Sequence, residues 1–173
     1  MPPLRNQATE IETLYRKHGS ALLLFAIAIA GERSRAQDAV HQVFLKMIES
    51  GMLARAADAK AYLFASVRNA LLNDAKGRQR HVQLENIPLE DAAIWFSPPD
   101  RDYAAELSLR RALAAIPEDQ RAVTILHIWG ELTFAQIAEV LDISSNTAAS
   151  RYRYALARLR QAMITKEGFC GTF

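Results

Sequence analysis

The segment Leu132-Thr133-Phe134-Ala135-Gln136-Ile137-Ala138-Glu139-Val140-Leu141-Asp142-Ile143-Ser144-Ser145-Asn146-Thr147 leaves this chain little choice of local fold. Thr133 stands where a hydroxyl caps a helix, and Gln136 occupies the reciprocal position of a capping box. Ile137 and Ala138 face inward, and the small Ala138 lets a second helix cross closely. Leu141 and Ile143 plug the corner, and Ser144 or Ser145 caps the helix that follows. On that helix Asn146, Ala149, Ser150 and Arg153 share one polar face, while Ala148, Tyr152, Ala155 and Leu159 share an apolar one. Two helices joined this way can lay the N-terminal end of the second in the major groove of DNA. An ordinary helical hairpin with a basic solvent face would not need cap, small residue, turn and polar lead face at these spacings.

Helical periodicity dominates elsewhere too, with no convincing alternating strand. Ile11, Leu14, Tyr15 and the run Leu22 to Ile29 predict a first helix or pair of helices, interrupted near Gly19 and ended by Gly31. Ser34 is placed to cap a second helix with Ala36, Val40, Val43, Phe44, Met47 and Ile48 on one face, closed by Gly51. A third runs from about Ala57 to Gly77, with Tyr62, Leu63, Val67, Ala70 and Leu71 inward. Pro88 and Ser97-Pro98-Pro99-Asp100 mark a turn-rich boundary. Beyond it Tyr103 to Ile116 reads as a helix. Pro117 opens the next in its first turn, where the missing N–H is not needed, and that helix runs from Glu118 to Trp129 and stops at Gly130. The last spans about Ser145 to Thr165. The expected fold is all-α: two small helical domains, 1–80 and 104–173, joined by a flexible acidic linker, 81–103, with few contacts crossing between them.

Charge follows the same division. Residues 1–80 hold twelve Lys/Arg against seven Asp/Glu, 81–103 one against five, and 144–166 five against none. Concentrated basic segments beside an acidic connector favour a nucleic-acid partner. The lone cysteine, Cys170, cannot form an internal disulfide or a metal cluster. His18, His41, His81 and His127 lack metal-ligand spacing, and no glycine-rich phosphate loop is present. Neither a cofactor, a metal site nor catalysis is expected. The longest apolar run, Ala21 to Ala30, is about half the roughly 20 residues a membrane helix needs, and the N-terminus lacks signal-peptide order. A cytoplasmic protein without membrane insertion is expected.

Ile116-Pro117-Glu118-Asp119-Gln120-Arg121 through Leu159-Arg160 resembles region 4 of the extracytoplasmic-function (group 4) sigma-70 factors. Asp38-Ala39-Val40-His41-Gln42-Val43-Phe44-Leu45-Lys46 and Ala61-Tyr62-Leu63-Phe64-Ala65-Ser66-Val67-Arg68-Asn69 are similar to region 2 of the same family. Region 3 of larger sigma factors is missing. The resemblance implies a factor for transcription initiation, with core RNA polymerase and promoter DNA as partners. It also implies an anti-sigma factor, which in many relatives sits between the two domains. Residues 1–80 would dock on polymerase and recognise and melt the −10 element, and residues 104–173 would recognise the −35 element.

By that resemblance Asp38, His41, Gln42 and Lys46 contact the clamp helices of polymerase, with His41-Gln42 standing where Gln-Glu is common. Residues 50–60 match the loop that captures a flipped −10 base. Here it offers no aromatic, only Met52, Leu53, Arg55 and Asp58. Arg68, Asn69 and Asn73, within about one turn of each other, would meet −10 bases, and Lys76, Arg78 and Arg80 phosphates. In region 4 Asn146, Ala149, Ser150 and Arg153 would read −35 bases. Thr147, Arg151 and Arg158 would hold phosphates, and Tyr154 would reach the backbone or pack. Asn146, Ala148 and Ala149 replace a usual glycine, branched aliphatic and basic residue. Ala148 opposite Tyr152 has the form of a volume-conserving repacking. The acidic linker would thread polymerase channels that otherwise hold nucleic acid. A rival reading is a two-domain helix-turn-helix regulator that acts without polymerase. Another is a structural helical adaptor, which would lack salt-sensitive DNA binding.

Overall fold

The structure, a computed structural model, describes residues 4–50, 58–77 and 111–167, with side chains at 10–50, 58–75 and 111–162. Every regular element among them is helical, as the all-α expectation requires. The N-terminal half holds α1 (Leu4–Ala30), α2 (Arg33–Ser50) and α3 (Ala59–Gly77); the C-terminal half holds α4 (Glu118–Ile128), α5 (Phe134–Leu141) and α6 (Ser145–Glu167). Residues 111–114, ahead of α4, are also helical. The linker 81–103, Gly51 and the start of the third helix at Ala57 lie outside the described residues.

Helix α1 runs unbroken through Gly19, correcting the expected interruption. A glycine in a helix costs on the order of 1 kcal/mol. Burial of almost every side chain from Ala21 to Ala28 outweighs that, because α1 packs on α2, α3 and α4 at once. Gly31 does end it, in the left-handed region at φ 66°, with its N–H on the Ile27 carbonyl at 2.9 Å. Ser34 is not a cap: it lies inside α2 and its hydroxyl turns back to the Glu32 carboxylate. Ala36, Ala39, Val40, Val43, Phe44 and Met47 form the buried face of α2. Ile48 was expected there but is exposed, since it follows Met47 by about 100° and leaves the stripe.

At the centre of the N-terminal half the rings of Phe25 and Phe64 meet edge to face at 5.6 Å, both fully buried. Tyr15 and Phe44 make a similar pair at 5.1 Å. Arg35 fastens the start of α2 to the end of α3: its Nε and Nη2 donate to Asp74 Oδ2 at 3.1 and 3.0 Å.

Pro117 takes the N-cap position of α4, at φ −54° and ψ 149°, one residue outside the helix rather than in its first turn. Arg121 reaches back and donates to the carbonyls of Ala114 and Ile116 at 3.3 and 3.1 Å. A second small core joins Ala112, Leu113 and Ile116 to Ala155 and Leu159 of α6.

The expectation of few contacts between the halves is corrected. Helix α1 packs on α4, and α3 on α5. Buried side chains from both halves form one continuous apolar cluster. Every side chain of α1 from Ala21 to Ala28 is buried, as are Leu63, Phe64, Val67 and Leu71 of α3, so these two helices carry apolar surface beyond what α2 covers, and the other half covers it.

His18 lies in this joint region, 7% exposed. Its pKa is lowered by burial first, then by the charges of Lys17 and Lys60, against an opposing pull from Glu131. Such a base takes up a proton on unfolding, so stability rises with pH wherever the unfolded chain binds more protons. The contribution is complete above the ordinary value of 6.5 and is lost as pH falls below it. Urea denaturation between pH 7.5 and 5.5 should therefore show falling stability, and His18→Phe should flatten that slope. An unchanged slope in the variant would mean that His18 is solvated.

Candidate nucleic-acid interface

The helix-turn-helix is built as its residues dictate. Thr133 Oγ1 accepts from the Gln136 N–H at 3.2 Å and Gln136 Oε1 accepts from the Thr133 N–H at 2.7 Å, completing the capping box of α5. Asp142 turns the corner in the left-handed region at φ 56°, its N–H on the Ala138 carbonyl. Aspartate tolerates that conformation better than most side chains. Of the two candidate caps for α6, Ser144 is the one used: its hydroxyl accepts from the Thr147 N–H at 3.0 Å.

Helix α6 then shows two faces. Ala148 and Ala155 are fully buried and Leu159 nearly so. Tyr152 packs between His127 (ring centroids 4.6 Å apart, edge on) and Phe134 (5.7 Å), while His127 stacks flat on Phe134 at 4.5 Å. This aromatic trio fills the space beside Ala148, which accounts for the small residue there. His127 is thus a packing residue, its Nδ1 2.8 Å from the Leu132 carbonyl oxygen. Outward, Asn146, Thr147, Arg153, Tyr154 and Arg158 are exposed, with Ala149 and Ser150 half-buried at the edge. Tyr154 does not pack: it is 57% exposed, with the Arg153 guanidinium 5.6 Å from its ring centre. The exposed face is free of carboxylates.

Arg151 lies apart from these. Its Nε is 3.1 Å from Asp119 Oδ2 on α4. It faces a cavity of about 390 Å³ whose walls include Arg68, Leu72 and Glu118. Arg151 was expected beside Arg158 on the phosphate side; the structure turns it toward α4 instead, because Asp119 holds it there. Arg68 is separated in the same way from Asn69 and Asn73, with which it was grouped. About 100° per residue carries it to the other flank of α3.

Asn69 and Asn73 line a groove of about 650 Å³ between α2 and α3, together with Gln42 and Lys46. Two residues assigned to polymerase docking and two assigned to the −10 element thus share one surface. Asp38, His41, Gln42 and Lys46 are all exposed on α2. Leu45 and Ile48, 58% and 54% exposed, stand on the same side of the helix. The sequence reading missed both as surface residues, although their offset from the Val40, Phe44 and Met47 stripe places them outside. Arg55, Arg78 and Arg80 lie outside the described residues, as does the side chain of Lys76.

Among the described residues no group of His, Cys, Asp and Glu gathers into a metal-binding cluster. None of the described helices is long and apolar enough to cross a membrane.

Comparison with known proteins agrees with this geometry. The family profile described as "Sigma-70, region 4" matches residues 106–159, which include the helix-turn-helix. The ECF RNA polymerase sigma factor SigL of Mycobacterium tuberculosis is 29% identical over 163 residues, 89% of either chain. The RNA polymerase sigma-E factor of Streptomyces coelicolor is 28% identical over 170 residues, 93% of this chain and 90% of its own. The ECF RNA polymerase sigma factor RpoE of Cereibacter sphaeroides reaches 34% over 116 residues, 60% of this chain and 64% of its own. Among solved structures, the sigma factor RpoE of Bartonella quintana, crystallised with the anti-sigma factor NepR, superposes with a TM-score of 0.68. That match covers 88% of this chain and 94% of that one, at 22% identity, and shows a shared fold. A region 4 helix-turn-helix and likeness over most of the chain lead to one conclusion: the chain is similar, over nearly its whole length, to RNA polymerase sigma factors of the extracytoplasmic-function branch of the sigma-70 family.

Proposed function

We propose that this protein joins core RNA polymerase in the cytoplasm, reads −35 bases with α6, and reads and opens the −10 element with α3 and the loop before it. The observation that supports the reading is that one chain presents both an exposed, carboxylate-free face on α6, with Asn146, Arg153 and Arg158, and an exposed face on α2 with Asp38, His41, Gln42 and Lys46. A regulator that acts without polymerase would need only the first. Residues 1–80 supply docking and opening and 104–173 supply −35 recognition. Nucleotidyl transfer belongs to the polymerase. Duplex opening would be driven by binding free energy, through preference for unstacked bases over paired ones. An anti-sigma factor is proposed as a further partner, since RpoE of Bartonella quintana is bound to one.

The test is run-off transcription with core polymerase on a genomic library, with Asp38→Lys as the diagnostic variant. Asp38 is exposed and opposite the buried stripe of α2, so reversal should leave helicity by circular dichroism unchanged. Core-polymerase affinity should fall at least tenfold, equivalent to about 1.4 kcal/mol. Reversing Lys46 on the same helix serves as the control for a general charge effect. Undiminished binding by a well-folded Asp38→Lys protein would remove α2 as the principal docking surface.

A further inference from the structure

Arg151 stands on the phosphate-side flank of α6 by helical phase, yet its guanidinium is engaged elsewhere. At about 100° per residue, Thr147, Arg151 and Arg158 fall within about 40° of one another. Thr147 and Arg158 are exposed, whereas Arg151 is partly buried. Helix α6 carries no acid of its own from Ser145 to Lys166. The carboxylate that meets Arg151 comes from α4, where Asp119 Oδ2 lies 3.1 Å from its Nε. The other oxygen of Asp119 accepts from the Gln120 N–H at 2.9 Å, which fixes how the carboxylate points. Asp119 also lies in the first turn of α4, where the helix dipole favours negative charge. The acid is thus held in place independently of the arginine.

The pair is not sealed off. Its side chains are 31% and 48% exposed, so the guanidinium can exchange one partner for another. The planar fork of arginine fits a carboxylate and a phosphate in the same geometry. We propose that Asp119 stands in for a DNA phosphate on Arg151 and so lowers the sequence-independent affinity of the recognition helix. The inference rests on the reading of α6 as the −35 recognition helix. Phosphate contacts strengthen binding to every sequence alike. Withholding one of them weakens the hold on any duplex and leaves discrimination to Asn146 and Arg153. Salt screens the ion pair and the phosphate contact together, so the paired arginine contributes little to the salt dependence of DNA binding.

Asp119→Asn removes the charge and keeps the acceptor for the Gln120 N–H. The full-length proteins would be titrated without polymerase against two labelled duplexes, one with a selected −35 element and one lacking it. Fluorescence anisotropy at several salt concentrations gives the affinities, and circular dichroism confirms folding. Exposed ion pairs are weak, so Asp119→Asn should tighten binding to both duplexes by about threefold. The salt slope should steepen by up to about 0.9, the value of one phosphate contact. In an Arg151→Gln background the same substitution should lose most of that effect. Glu118→Gln, an equal change of charge at the neighbouring exposed residue, should tighten binding far less. Unchanged affinity in a folded Asp119→Asn protein would overturn the proposal. So would an equal gain in the Arg151→Gln background or from Glu118→Gln, either of which would mean a general charge effect. A gain on one duplex alone would also overturn it, because it would mean that the recognition helix had been re-aimed. If the unaltered chain bound neither duplex, this inference and the reading of α6 would fall together. If it bound both duplexes but not core polymerase, the sigma-factor reading alone would fall, and the substitutions would still decide the role of Asp119.

Discussion

Phe64→Ala should cost about 3–5 kcal/mol of stability, a large part of the roughly 5–15 kcal/mol that holds a typical chain folded. Phe64 is fully buried against the ring of Phe25. Truncation removes its transfer free energy, leaves a cavity between α1 and α3, and forfeits the edge-to-face contact. Because the apolar cluster runs on into α4 and α5, the loss should be felt in both halves. Urea unfolding followed by circular dichroism and by tryptophan fluorescence should give coincident transitions, displaced together in the variant. With the second tryptophan removed as Trp95→Phe, the signal comes from Trp129, which lies beside α4, packs partly against the cluster and reports on the C-terminal half. Transitions that separate, with only the far-ultraviolet signal shifted, would mean that the halves unfold independently.

The second large effect concerns DNA. Arg153 stands on the outward face of α6 with Asn146, while Arg158 lies more than a turn further along, also exposed. A base-edge contact is worth about 1–3 kcal/mol of discrimination, whereas a phosphate contact carries no sequence information. Arg153→Ala should therefore relax the preference at one or two −35 positions. Arg158→Ala should weaken all promoters alike and reduce the salt slope by about one. Selection from randomised −35 sequences at two salt concentrations reads both. If Arg158→Ala changed the preferred bases and Arg153→Ala did not, the rotational phase assigned to α6 would be wrong. Arg151 stands apart from Arg158, since its guanidinium is paired with Asp119.

Much of this was legible in the residues because the decisive features are local. The capping box of Thr133 and Gln136, the cap Ser144 and the alternation of small and polar positions along α6 all act within a turn or two. A single chain can display them without knowing what surrounds it. The helix through Gly19 is not legible in the residues for the opposite reason. The penalty for glycine is local, but the burial that overcomes it comes from three other helices. A serine near a helix start signals a cap, but at Ser34 the register is set by Gly31 and Glu32 just before it.

What the sequence by itself determined is therefore the set of helices, the turn between α5 and α6, and the division of α2 and α6 into buried and exposed faces. Each follows from hydrogen-bond capping and from a period of 3.6 residues. Only the tertiary structure decided that the two halves share a core, that Asp58 serves two helices at once, and that Arg68 and Arg151 turn to one cavity. Asp58 and Gln136 are 78 positions apart, and no periodicity relates them. Their meeting depends on how the leftover apolar surface of α1 and α3 is covered, and hydrophobic burial is non-directional until whole helices have packed.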